Sequence, residues 1–277
     1  MMYLEPKQKM KFPLSAEREY YRVLRAIMRN MRKAVLEADK QRTDASETEE
    51  LMRMVKEIYA RSGTKEAAIK ELRKIFANVD KVTRQNIQQA FEECLMADIA
   101  IGEAEGIPVI WDEWEFTQKT LIEDVESSFF NKFAILAGMG AIGSATTRTE
   151  TALESVCKSI DKRLKGIAVD QTGRLYGAIT KRYHEQSGVS FYKWQSRNDS
   201  KVRTEHKANN GKYFYWNNNV GGEVNGVTIH PTPKFAPGED YSCRCSAMPI
   251  ITDNILNGIV KPNGVVQYKN ILSGKTE

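Results

Sequence analysis

Between Tyr192 and Cys245 the chain gathers Asp199, Arg203, His206, His230, Cys243 and Cys245 among turn-forming Gly, Asn and Pro. No helix or strand period runs through this stretch, so its residue types call for a chemical explanation. As ligands, His206, His230, Cys243 and Cys245 offer two imidazoles and two thiolates. That set suits tetrahedral Zn²⁺, and a structural zinc would staple a module with little core. The spacing departs from familiar zinc patterns, because Cys-x-Cys is tight and the two His lie far apart. A metal-free reading, with His206 and the cysteines packed and hydrogen-bonded inside the module, stands beside it. A Cys243–Cys245 disulfide would close a strained ring and is not expected.

A catalytic reading uses the same segment differently. Asp199 orienting His206, with Arg203 holding phosphate, would suit phosphodiester cleavage in a small nuclease or metal-dependent hydrolase. Asp199, Arg203 and His206 also fall at i, i+4 and i+7, one face of a short helix. There Asp199 would cap a helix starting at Ser200, and Arg203 would bind a carboxylate or free carbonyls. Asn209-Asn210-Gly211 is a turn signal, since Asn and Gly tolerate positive φ. Trp194 and Trp216 read as core residues of the module, with base stacking as the lesser alternative.

The elements that must position these residues are mostly helical. From Ser15, the residues Tyr20, Val23, Leu24, Ile27, Met28, Met31 and Val35 recur at spacings of three and four, opposite Arg and Lys. Further helices are predicted over 47–61, over 65–77, from a cap at Asp80 to Glu105, over 111–136, over 144–164 and over 170–186. The Gly-rich run 137–143 lacks Walker spacing and a following Lys-Ser/Thr, which predicts a flexible loop or a close helix contact. Short strands are predicted at 191–194, 213–216, 227–230 and 246–251. The fold class is therefore mostly α: a long helical N-terminal region over 1–166, a small loop-rich α+β module over 167–252, and a tail over 253–277.

Four cysteines in 277 residues make no disulfide framework. Cys94 and Cys157 read as buried thiols in helices. The mean hydropathy of −0.50 predicts a soluble protein. The N-terminal MMYLEPKQKMKFPLS lacks the apolar run of a secretory signal, which predicts cytoplasmic synthesis and no membrane partner. The formal net charge is +5, unevenly distributed. Residues 1–42 hold eleven Lys/Arg against five Asp/Glu, and residues 161–214 hold twelve against five. Basic regions at 7–42 and 162–212 suggest a polyanion partner, with Arg22, Arg25, Arg29, Arg32, Lys33, Lys181 and Arg182 as DNA-binding candidates. A free DNA-binding regulator is disfavoured, because no helix-turn-helix or zinc-finger spacing is present.

The run A-V-D-Q-T-G-R-L-Y from Ala168, then S-G-V-S-F-Y-K-W, S-R-N-D-S-K-V-R-T-E-H, N-G-K-Y-F and P-G-E-D-Y-S-C-R-C resemble the tailed-phage minor head proteins, similar to the F protein of phage Mu. The resemblance covers about Ala168 to Pro249, in order. It implies a non-enzymatic virion component at the portal vertex, acting in head assembly inside the host cytoplasm and then residing in the head. It also implies the portal protein, the capsid interior and packaged DNA, bound without sequence preference, as partners. The family's shared residues map to Trp194, Asp199, Arg203, His206, Gly211, Cys243, Arg244 and Cys245, with no catalytic role attached. The loop 217–235 departs from the shortest family versions, so His230 is a ligand candidate by residue type alone.

Overall fold

The computed structural model describes residues 3–41, 48–96, 99–138, 146–197, 199–200, 202–252 and 255. Five long helices make up most of the described chain: α1 (Leu14–Gln41), α2 (Thr48–Arg61), α3 (Thr64–Leu95), α4 (Ile107–Gly138) and α5 (Thr146–Gln186). A short helix α6 (Thr204–Asn209) and seven strands complete the described chain. The strands are β1 (Tyr3–Leu4), β2 (Phe191–Gln195), β3 (Tyr213–Tyr215), β4 (Gly222–Val224), β5 (Val227–His230), β6 (Ser246–Pro249) and β7 (Ile251–Thr252). The protein is mostly α with a small α+β module, as its periodicity predicts. The loop at 139–143 and the tail, Ile255 apart, lie outside the described residues.

Two predicted helix breaks are corrected. Asp80 does not open a helix but lies inside α3, where its carboxylate accepts the Tyr183 hydroxyl at 2.8 Å. The 65–77 and 80–105 segments are one helix ending at Leu95, beyond which Met96 takes φ 51°. Likewise α5 continues through 165–169, because nothing there removes a backbone donor and the apolar stripe persists with Leu164 and Ala168 buried. At its far end Gly188, at φ 74°, terminates α5, with the Val189 N–H donating to the His184 carbonyl at 2.9 Å.

The chain divides into two compact units that do not follow chain order. Glu17–Ile75 with Glu113–Ala168 forms an all-helical unit. Its core holds Leu24, Ile27, Met31, Leu51, Val55, Phe129, Phe133 and Leu164. The buried Glu126 accepts the Tyr59 hydroxyl at 2.6 Å and pairs with Lys65 at 2.8 Å, which satisfies a carboxylate that burial would otherwise penalise.

The second unit joins Met1–Ala16, Phe76–Asp112 and Val169–Glu277, and it contains the strands. The main sheet runs β4-β5-β3-β2-β6, with only the β3–β5 pair parallel. β2 is an interior strand, pairing Trp194 with Ala247 on β6 and Tyr192 with Phe214 on β3. A separate ribbon pairs β1 with β7, Tyr3 opposite Thr252. One sheet face packs Tyr192, Trp194, Phe214 and Trp216 with Ala236, Cys243, Cys245 and Ala247. Both cysteines therefore sit in an aromatic core, with Cys245 directly before β6.

Candidate metal centre

The segment Ala236 to Cys245 carries the reactive groups and has little regular structure, so other elements must hold it. On one side it lies against α5 at glycines. A Cβ on Gly173 would sit 2.2 Å from the Cys243 carbonyl oxygen, and one on Gly177 2.5 Å from that of Pro237. Gly238 completes the contact at φ 93°, a conformation open to glycine, with the Gly173 carbonyl oxygen 2.5 Å from where its Cβ would be. Asp170, four residues before Arg174 on α5, accepts the Ser242 N–H at 2.8 Å on one oxygen and Arg174 Nε at 3.0 Å on the other. That bond stabilises Ser242 at φ 54°, outside the usual range of a residue with a Cβ.

On the other side the segment is held by Arg203 and α6. The Arg203 guanidinium donates to an Asp240 carboxylate oxygen and, at 2.6 Å, to the Tyr241 carbonyl. Burial works against the charge on Asp240, but the Tyr241 N–H and the Arg203 guanidinium outweigh it and hold the carboxyl below its ordinary range. The same Asp240 oxygen lies 3.3 Å from His206 Nε2. His206, on α6, is buried and edge-on to Trp194, with ring centroids 5.3 Å apart.

The opposite nitrogen of His206 faces the thiols. Nδ1 is 3.5 Å from Cys243 Sγ and 3.6 Å from Cys245 Sγ, and the three donor atoms lie within 4.8 Å of one another. Cys243 Sγ accepts the N–H groups of Gly238 and Cys245, each at 3.4 Å. The Cys245 thiol and these backbone donors favour a thiolate on Cys243 against burial, so its pKa falls below the ordinary value. Cys245 is pushed the other way by its bond to Cys243 and by burial. Both cysteines, like Cys94 and Cys157, are free.

The predicted residues separate accordingly. Trp194, Arg203, His206, Cys243 and Cys245 meet around one segment. Gly211, at φ 82°, makes the predicted turn, donating its N–H to the Trp194 carbonyl at 2.8 Å. Half-buried Arg244 lies between the two cysteines. Asp199 does not cap a helix at Ser200, nor does it share a helical face with Arg203 and His206. α6 starts only at Thr204, and the Asp199 carbonyl instead accepts the Val202 N–H in a turn. Its carboxylate lies 3.6 Å from Arg197, and the carboxylate beside His206 is that of Asp240. His230 is apart from the cysteines: it ends β5 with its ring on Phe214, centroids 5.2 Å apart.

Sequence reasoning passed over Asp170, Gly173, Gly177, Gly238 and Asp240. Two glycines one turn apart inside a helical stretch were the signal for a close backbone approach. Arg22, Arg25, Arg29, Arg32 and Lys33 are exposed on α1, Arg22 pairing with Glu19 and Arg25 with Asp161. Lys181 and Arg182 are half-buried on α5; Lys181 lies 6.0 Å from the Trp216 ring centroid, and Arg182 Nε donates to the Glu105 carbonyl.

Residues 136–248 match the family described as Phage Mu protein F like protein. An uncharacterized protein of Haemophilus influenzae (strain ATCC 51907 / DSM 11121 / KW20 / Rd) is 29% identical over 151 residues, covering 54% of this chain and 31% of that protein. The chain thus spans less than a third of the length of the curated relative it matches. No solved structure matches. The matched segment runs from the end of α4 through α5 to β6 and includes each group described above around His206; over that segment the chain is similar to the Phage Mu F-like family.

Proposed function

We propose that this protein is a structural component of a phage head, acting in head assembly at the portal vertex and retained in the virion. The observation that carries this reading is the match over 136–248 to a family defined by phage Mu protein F. The geometry agrees with a structural use of the family-motif residues. Arg203 and Gly211 brace backbone, and Trp194 packs in the core beside His206 and the cysteines. The carboxylate beside His206 is that of Asp240, while Asp199 lies near Arg197, which favours the structural reading over a hydrolase built on Asp199, Arg203 and His206. Among the described residues no helix is long and apolar enough to cross a membrane.

The exposed arginines of α1 support a second contact, with packaged DNA and without base specificity. Arg22, Arg25, Arg29 and Arg32 recur at spacings of three and four, so they share a helix face. Long basic side chains at that spacing suit phosphates rather than base edges.

Native mass spectrometry of the full chain with and without its phage's portal protein tests the assembly role. A complex of defined stoichiometry is expected. A protein that stays apart from portal and procapsid under assembly conditions would overturn the portal assignment.

A further inference from the structure

We infer that His206, Cys243 and Cys245 bind one Zn²⁺, with Asp240 as the carboxylate that orients the histidine. Nothing in this inference depends on the role in head assembly.

Metal–ligand lengths of about 2.3 Å for Zn–S and about 2.0–2.1 Å for Zn–N, at a tetrahedral angle, put sulfur and nitrogen about 3.6 Å apart. His206 Nδ1 stands 3.5 and 3.6 Å from the two sulfurs. Both nitrogen–sulfur separations match that spacing, the three donor atoms lie within 4.8 Å of one another, and all three residues are buried.

The surroundings fit a metal–thiolate centre. A ligating histidine usually gives its second N–H to a carboxylate, which fixes the tautomer and raises ligand basicity. Asp240 occupies that place at Nε2, and Arg203 holds Asp240 in turn. This leaves the Nδ1 lone pair directed at the sulfurs. The two backbone N–H groups on Cys243 Sγ stabilise thiolate charge. Trp194 adds an independent sign. Its buried Nε1–H makes no hydrogen bond of ordinary length among the described residues, and Trp194 packs in the same core cluster as both cysteines. An unmet donor beside a neutral thiol is costly, whereas beside a metal-bound thiolate it is useful.

Charge selects the ion. Two thiolates and a divalent cation sum to zero, and the Arg203–Asp240 pair is neutral as well, so the core holds no net charge. Sulfur and imidazole donors favour zinc over magnesium or calcium, which take oxygen. Binding displaces the thiol protons to solvent and leaves the fourth position to a water. His230, on the sheet against Phe214, is not a ligand.

The test uses the full chain purified from zinc-supplemented cells, with metal counted by inductively coupled plasma mass spectrometry. One zinc per chain is expected. After chelation, Co²⁺ titration should restore stoichiometric binding with sulfur-to-cobalt charge-transfer absorption, and X-ray absorption should count two sulfur and two nitrogen or oxygen neighbours. C243S and C245S should abolish that absorption. Asp240→Asn should weaken Co²⁺ binding about 10–100-fold, and His230→Asn should leave it unchanged. A folded wild-type chain that takes up neither ion, or binds cobalt without sulfur charge transfer, would overturn the site. Because the wild-type chain gives both readouts, failure of a cysteine variant to fold does not remove the test.

Discussion

At the scale of single residues, Gly173 separates a backbone preference from a packing demand. Replacing a glycine in a helix interior by alanine ordinarily stabilises by about 1 kcal/mol. Here the new methyl would meet the Cys243 carbonyl oxygen at 2.2 Å, and the opposing atom is backbone held at Ser242 by Asp170. Overpacking of this kind costs about 1–3 kcal/mol or more. Gly173→Ala is therefore expected to lower the urea midpoint, by a net loss of about 2 kcal/mol, and a raised midpoint would show that the loop yields. His184 gives a second test. It is fully buried, and desolvation lowers its pKa to about 3, with Trp216 Nε1–H donating to Nδ1 at 3.1 Å. The folded chain keeps it neutral, whereas the unfolded chain protonates it below about pH 6.5. Its stabilising effect is complete above that pH and is lost as pH falls toward 3, at roughly 1.4 kcal/mol per unit. Urea midpoints between pH 7.5 and 5 should fall accordingly, and His184→Asn, which keeps an acceptor for Trp216, should flatten the slope. An equally steep slope in that variant would assign the acid sensitivity elsewhere.

At the scale of elements, the basic face of α1 carries the proposed DNA contact. Each phosphate neutralised on duplex DNA contributes about −0.9 to the slope of log affinity against log salt. Changing Arg22, Arg29, Arg32 and Lys33 to Gln should weaken binding to any duplex about equally and reduce that slope by roughly 2–4. Fluorescence anisotropy across NaCl concentrations measures both, and an unchanged slope would remove α1 from the interface. Elements were also the most legible part of the sequence. The three-and-four spacing of Tyr20 to Val35 gave α1, and alternation gave β2, β3 and β5 close to their observed bounds. Asp80 misled because a carboxylate serves a helix start or a distant hydroxyl equally well, and Tyr183 is 103 residues away. For the same reason the sequence showed His206, His230 and the Cys-Arg-Cys run as a set, but neither that His230 stands apart nor that Asp240 is the partner of His206. Asp240 reaches His206 across a loop whose path depends on Gly173 and Gly177, and no local pattern encodes that crossing.

At the scale of the whole molecule, the α+β module is not a self-contained stretch of chain. Its compact unit also takes in Met1–Ala16 and Phe76–Asp112. The connections are specific. Glu5 pairs with Lys193 and accepts the Tyr213 hydroxyl at 2.7 Å, and the Met10 N–H donates to Gln195 at 3.0 Å. Asn86 donates to the Tyr176 hydroxyl at 3.3 Å, while Ile87, Phe91, Ile99, Ile101 and Ile107 are buried. β7 has β1 as its partner. A fragment limited to 167–252 loses every one of these, exposing α5's apolar face and leaving polar groups on β2 and β3 without partners. Excising apolar burial on that scale removes more than the few kcal/mol by which domains are stable. The 167–252 fragment is therefore expected to lack a cooperative urea transition and dispersed amide resonances. A single chain linking 1–16 and 76–112 to 167–252 should recover both. A fragment that folds alone would mean that the α6–sheet core around Trp194 suffices, and the N-terminal segments would then be additions to a complete module rather than parts of it.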